Sequence, residues 1–287
     1  MSVPQNSRQQ GSIRLYDYNG RSVPSVTSIL SAIDKPALRG WYAKQTAAAA
    51  LDALLRHELT ADVIVALTEE ARAAHEATKY HQERHKKTCD FVPNAASWLA
   101  GAPTRTRDTA GARGTAVHEA AEKDFDLLDV PENARAAYGS YQQWVAEFEP
   151  TILAKEFQVF NGLDGYAGSG DLMGIIPWLD PEDVWLIDIK TSRSLFHEMR
   201  LQLRGYADGE FCIKGNEVDE EATQTLFRVN RFAILHLTDD GYEFVEVTAD
   251  GYDSEVFRAA LTILNWIGAN DGKSIGTIIR APIEAAA

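Results

Sequence analysis

One pentapeptide, Leu186-Ile-Asp-Ile-Lys190, holds an acid and an amine at the spacing of alternate residues. In an extended strand such residues share a face, so Asp188 and Lys190 project together while Ile187 and Ile189 pack on the other side. Acid-x-Lys alone is weak, since roughly one or two such tripeptides arise by chance in a chain of this size. Asp271-Gly-Lys273 is such a decoy, set in a Gly-containing loop that cannot fix its two side chains. Gly168-Ser-Gly-Asp171 gives the first match its weight: small residues there admit a close neighbour, another backbone or a substrate, and Asp171 opens the apolar run LMGII. If 166–176 and 184–190 form a hairpin, Asp171 lies opposite Asp188. Two carboxylates converging beside Lys190 suit a hard divalent cation such as magnesium, which takes a few carboxylates plus water. Glu156, on the preceding run, either joins them or supports them from behind.

Short β-like runs must position these groups. ILAKEFQVF, YAGSGDLMGII and VWLIDIK, separated by turn-rich segments, read as a three-strand meander after Pro150. LFHEMRLQLRGYADGEFCI reads as a helix, FRVNRFAILHLT and YEFVEVT as strands, and SEVFRAALTILNWIGAN as a closing helix. Before the meander, Asn19-Gly20 sits between two extended stretches in 12–24, the signal of a tight hairpin. Residues 36–89 have helical spacing with a break near Leu59-Thr60, Pro93 and Pro103 mark a connector, a helix starts near Thr109, and another follows Pro131 over 132–148.

Composition frames what these elements can be. The 287 residues are 45% apolar and 24% charged, which excludes a collagen, a coiled coil or a wholly disordered chain. No run reaches the roughly 18 apolar residues of a membrane helix, and the polar start lacks a signal-peptide core, so no membrane and a cytoplasmic location are expected. Cys89 and Cys212 cannot make a disulfide framework or supply four thiolates to a cluster. The net charge of −14 argues against a phosphate-rich partner. It is uneven, however: residues 1–113 hold 15 basic and 11 acidic side chains, and the acid excess lies beyond them.

Taken in order, Gly114-Thr-Ala-Val-His118, Glu156, Gly170-Asp171, Asp188-Ile-Lys190-Thr-Ser192 and Gln202-Leu-Arg-Gly-Tyr206 resemble the RecB-like branch of the PD-(D/E)XK nucleases. The resemblance is to phage exonucleases of the CRISPR-associated RecB-like type and to mitochondrial genome maintenance exonucleases. It extends N-terminally to Val23-Pro-Ser-Val-Thr-Ser-Ile-Leu30. It implies that His118, Asp171 and Asp188 ligate a metal with the Ile189 carbonyl as a further ligand, Glu156 being an additional candidate. Lys190 would then orient or activate the attacking water, and Gln202 and Tyr206, four apart on one helical face, would position Lys190 or the nucleic-acid backbone. The implied cofactor is one or two Mg2+ or Mn2+ ions, with no iron–sulfur cluster because the family's four cysteines are missing.

The expected fold is α/β, a restriction-endonuclease-like core of mixed central sheet flanked by helices over 107–240. A hairpin and helical elaboration over 1–106 would wall a substrate groove, and 241–287 would complete the core. The expected activity is metal-dependent hydrolysis of DNA; the resemblance implies an exonuclease on single-stranded ends, in replication, recombination or repair. The alternatives are an endonuclease acting with partner proteins and a non-catalytic DNA-binding scaffold. Lys79, Arg84, Lys86, Lys87 and Arg113 are candidate phosphate contacts, the first four competing with a plain solvated basic helix. His81, His85 and Cys89 have the spacing of a zinc site on one helical face but lack a fourth ligand. Trp41 and Trp98 read as core anchors ahead of base-stacking platforms.

Overall fold

A computed structural model describes residues 6–11, 13–33, 36–56, 61–76 and 95–270. Three antiparallel strands open the chain, β1 (Ser7–Gln10), β2 (Ile13–Tyr18) and β3 (Arg21–Pro24). Between β2 and β3 the turn residues Asn19 and Gly20 have φ of 47° and 75°, the two positive values a tight two-residue hairpin needs. Ser25 then caps helix α1 (Val26–Leu30), its hydroxyl accepting the Ser28 amide at 3.0 Å.

Helices α2 (Pro36–Arg56), α3 (Ala61–Glu76), α4 (Ala95–Ala100), α5 (Ala102–Lys123) and α6 (Glu132–Phe148) follow. Helix α5 begins well before the expected start near Thr109. Pro103, expected to mark a connector, instead lies in the first turn of α5, where its missing N–H has no partner to lose.

Strands β4 (Thr151–Asn161), β5 (Tyr166–Ile176) and β6 (Asp180–Lys190) form the antiparallel meander read from the sequence. Helix α7 (Glu198–Ala207) comes next. It ends sooner than expected, and Phe211–Lys214 is instead strand β7, paired with β4 through Val159 and Cys212. Pairing with an open strand edge, which buries Cys212 and Ile213, overrides the local helical pattern. A two-residue strand β8 (Glu217–Val218), helix α8 (Glu220–Arg228), strands β9 (Val229–Leu237) and β10 (Tyr242–Glu246) and helix α9 (Gly251–Asn270) complete the described chain.

The larger sheet has the order β10-β9-β6-β5-β4-β7-β8. Only its β6–β9 junction is parallel, which makes it a mixed sheet. A parallel neighbour requires a long crossover, here α7, β7, β8 and α8. Alternation along β6 divides the core in two. Ile187 and Ile189 pack under α5 and α6 with Val117, Trp144 and Leu235, while Leu186 faces α1, α7 and α9 with Met173, Leu203 and Phe257. The fold is thus mixed α/β, with helices on both faces of the sheet. No helix among the described residues is long and apolar enough to cross a membrane.

Candidate metal centre and cleft

The site begins where two strands part. The β5–β6 ladder runs to Leu172↔Ile187, and beyond it β6 continues against β9 alone, with Asp188↔Ile234 and Lys190↔His236 as partners. Asp171 fills the fork: its Oδ2 accepts the Ile189 amide at 2.5 Å, where a neighbouring backbone carbonyl would otherwise stand. Asp171 therefore lies beside Asp188, as the hairpin reading anticipated, and both carboxylates are buried.

Glu156 reaches the same place by a local distortion. Its φ is 44°, unusual for a non-glycine residue. Ala154 and Phe157, on either side and three apart, pack against the same core cluster although strict alternation would separate them. The left-handed residue lies within that slip of phase.

Across the fork, α5 presents His118, whose Nδ1 is 3.1 Å from Asp171 Oδ1 and 3.7 Å from Glu156 Oε1. One ligand atom from each of His118, Glu156 and Asp171 lies within 4.8 Å of the other two, close enough to hold a metal ion. His118 Nδ1 is buried with no hydrogen bond of proper angle, despite its nearness to the carboxylates. One imidazole and two carboxylates are donors that Mg2+ or Mn2+ accepts, so the residues fit such an ion.

Asp188 is engaged otherwise. Its Oδ2 forms an ion pair with Lys190, and its Oδ1 accepts from Gln202 Nε2 at 3.2 Å. Gln202 also donates to the Tyr206 hydroxyl at 2.8 Å, so the two residues of α7 act as one bracket behind the acid. Of the expected metal ligands, His118, Asp171 and Glu156 converge while Asp188 and Lys190 make a pair alongside.

Electrostatics separates these groups. Burial opposes ionisation of Asp171, yet the charges of His118 and Lys190 and the Ile189 amide hold its carboxyl below the ordinary value. In Asp188 burial wins: with the Asp171 charge it outweighs Lys190 and pushes the carboxyl up to about 6. Burial likewise pushes Glu156 up. For His118 burial acts downward, but Asp171 and Glu156 outweigh it and push the imidazole up to about 10. Two neighbouring acids driven in opposite directions are characteristic of sites that handle protons or cations.

A cavity of about 440 Å³ opens over these residues. Its other wall comes from Arg14 and Tyr16 of β2, Val26 and Thr27 of α1, and Arg107, Gly111 and Gly114 of α5. The sequence reading missed Arg14, Tyr16 and Arg107. The alternation of β2, which puts Arg14 and Tyr16 on one face, was the available signal. Tyr16 is almost fully buried, and burial pushes its hydroxyl up to about 12 against the influence of Arg14.

Some expectations land elsewhere. Gly168 and Gly170 admit the protein's own rings: a Cβ on Gly168 would stand 2.7 Å from the Tyr206 ring, and one on Gly170 would collide with the Phe157 ring. Arg113 is ion-paired with Asp239 and does not line the cavity. Neither Trp41 nor Trp98 lines it; Trp98 carries the Arg105 guanidinium 3.3 Å over its ring. Lys79, Arg84, Lys86, Lys87, His81, His85, Cys89 and the Asp271–Lys273 decoy lie outside the described residues.

No family model and no curated protein matches this chain. Among solved structures, one described as "Crystal structure of SSO0001" is similar at 17% identity, over 45% of this chain and 57% of that one, with a TM-score of 0.29. The likeness spans little more than half of that protein and carries no argument about fold or activity.

Proposed function

We propose that the chain is a divalent-metal-dependent DNA nuclease of the PD-(D/E)XK type, with a restriction-endonuclease-like core and the RecB-like set of site residues. The observation that carries the reading is the convergence of His118, Glu156 and Asp171 within 4.8 Å beside the Asp188–Lys190 pair. Those are the residues whose types and order first pointed to this chemistry.

His118, Asp171 and Glu156 would hold Mg2+ or Mn2+. A bound ion of that kind neutralises a phosphoryl oxygen and acidifies water toward neutral pH. The rest belongs to the chain. Lys190, at the open end of β6, places an ammonium where negative charge grows on a phosphate in the cleft. Gln202 and Tyr206 hold Asp188, and through it Lys190, in one arrangement. Arg14 and Arg107 line the same cavity and supply phosphate contacts from the opposite wall. The preference for single-stranded ends rests on the family resemblance.

The test is hydrolysis of end-labelled linear single-stranded DNA with Mg2+ or Mn2+. EDTA should abolish it, and Lys190→Ala should lower kcat by about 10²–10³-fold, the usual cost of removing a group that stabilises transition-state charge. Wild-type activity in Lys190→Ala would overturn the assignment. Covalently closed single-stranded circles run in parallel separate exonuclease from endonuclease, since only an endonuclease cuts them.

A further inference from the structure

Beyond Lys190 the chain leaves the sheet with no regular structure until α7 begins at Glu198. Such an exit lets a terminal side chain wander unless something fixes the backbone just past it. His236 supplies that fixture. It sits on β9 directly beside Lys190 and is also paired in register with Glu243 of β10. Its ring is buried, 6% exposed, and both nitrogens are engaged: Nε2 is 2.7 Å from the Ser192 carbonyl and Nδ1 is 2.9 Å from Glu243 Oε2. Carbonyl and carboxylate oxygens only accept, so each contact needs a proton on the ring nitrogen: Nε2–H donates to the Ser192 carbonyl and Nδ1–H to the Glu243 carboxylate, which fixes the rotation of the ring.

The opposite side of the same segment is closed by α5. A Cβ on Gly114 would stand 3.0 Å from Thr191 Oγ1, a tight contact that a larger residue would relieve only by pushing the threonine side chain aside. Thr191 and Ser192 are thus held between a helix and a buried imidazole, immediately after the residue that must aim at the phosphate.

We propose that His236 is a positioning residue for Lys190: by tethering the Ser192 carbonyl, with Glu243 as its backstop, it fixes the exit of β6 and keeps the ammonium on Asp188. The inference rests on the reading of Lys190 as a catalytic group. His236 does not line the cavity, and it acts on Lys190 through the backbone.

Two measurements on the full chain, made with His236→Leu and His236→Gln, test it. Hydrogen exchange of the backbone over residues 190–194 needs no activity: Leu should accelerate it and Gln, which can still donate to Ser192, should restore it. In the DNA hydrolysis assay, Leu should lower kcat by about 10–100-fold, the range seen when an orienting partner is removed, with KM little changed and with recovery in Gln. Unchanged exchange in His236→Leu overturns the tether, and unchanged kcat in an active enzyme overturns its role in positioning. Exchange that responds while the wild-type protein hydrolyses no DNA removes the nuclease reading and leaves the tether standing. Should His236→Leu fail to fold, Glu243→Ala, at a side chain 68% exposed, removes the backstop and carries the same exchange test, acceleration supporting the tether and no change overturning it.

Discussion

His118 and Glu156 show what individual residues bear in this site. His118 Nδ1 is buried against two carboxylates without a hydrogen bond of proper angle. An ion that binds only the folded chain stabilises it by about 2.7 kcal/mol at 100 times its Kd. Titrating Mg2+ or Mn2+ into thermal melts should therefore raise Tm in the wild type and not in His118→Ala. Glu156 bears a backbone cost instead, because φ of 44° brings Cβ toward the following carbonyl. In most strands glycine is worse than alanine. Here Glu156→Gly should be more stable than Glu156→Ala by about 1 kcal/mol in urea unfolding, and the opposite order would remove strain from the account. The sequence made Asp171, Asp188 and Lys190 readable because strand alternation fixes their faces. It did not show that Asp188 would spend its oxygens on Lys190 and Gln202, since that choice depends on how α7 lies over the sheet.

At the scale of elements, the meander and the Asn19-Gly20 hairpin were legible because short-range turn chemistry and period-two patterning decide them. Strand β7 was less so: its turn into β8 at Gly215-Asn216 is local, but most of its pairing is with the edge of β4, a partner about fifty residues away in sequence. The wall formed by Tyr16 was not legible, since Tyr16 reaches the cleft only when the small N-terminal sheet packs on β5. The same limit explains the glycines of β5. Their smallness was plain from sequence, but whether it served a substrate or the protein's own packing was not. Since Phe157 occupies the space over Gly170, Gly170→Ala should overpack the core and cost about 1–3 kcal/mol. A urea midpoint equal to the wild type would show that the ring moves aside freely.

Over the whole molecule, the parallel β6–β9 junction is stitched at both ends. His236 holds the end beside the site. At the other end Asp183 accepts from Asn230 Nδ2 and Arg231 Nε, each at 2.7 Å. Arg231, with Asn230 assisting, holds the Asp183 carboxyl below its ordinary value. A depressed carboxyl contributes stability that is fully present above the unfolded pKa, about 3.9, and is lost as pH falls through the lower native value. The stability difference between wild type and Asp183→Asn should accordingly be largest near neutral pH and close below about pH 4. A difference constant across that range would mean the stitch is not ionic.

The seven-strand sheet is open, and its two outer strands face different hazards from those inside. A long, flat, apolar border invites a second chain to add itself by backbone pairing. Strand β8 offers only two residues to such a visitor, and β10 turns Glu243 and Glu246 toward solvent along its five. Glu243 thus serves twice, as the backstop of His236 and as a charge that discourages aggregation at the rim. Replacing it with an apolar residue removes both services at once, so loss of activity in such a variant has to be separated from loss of solubility.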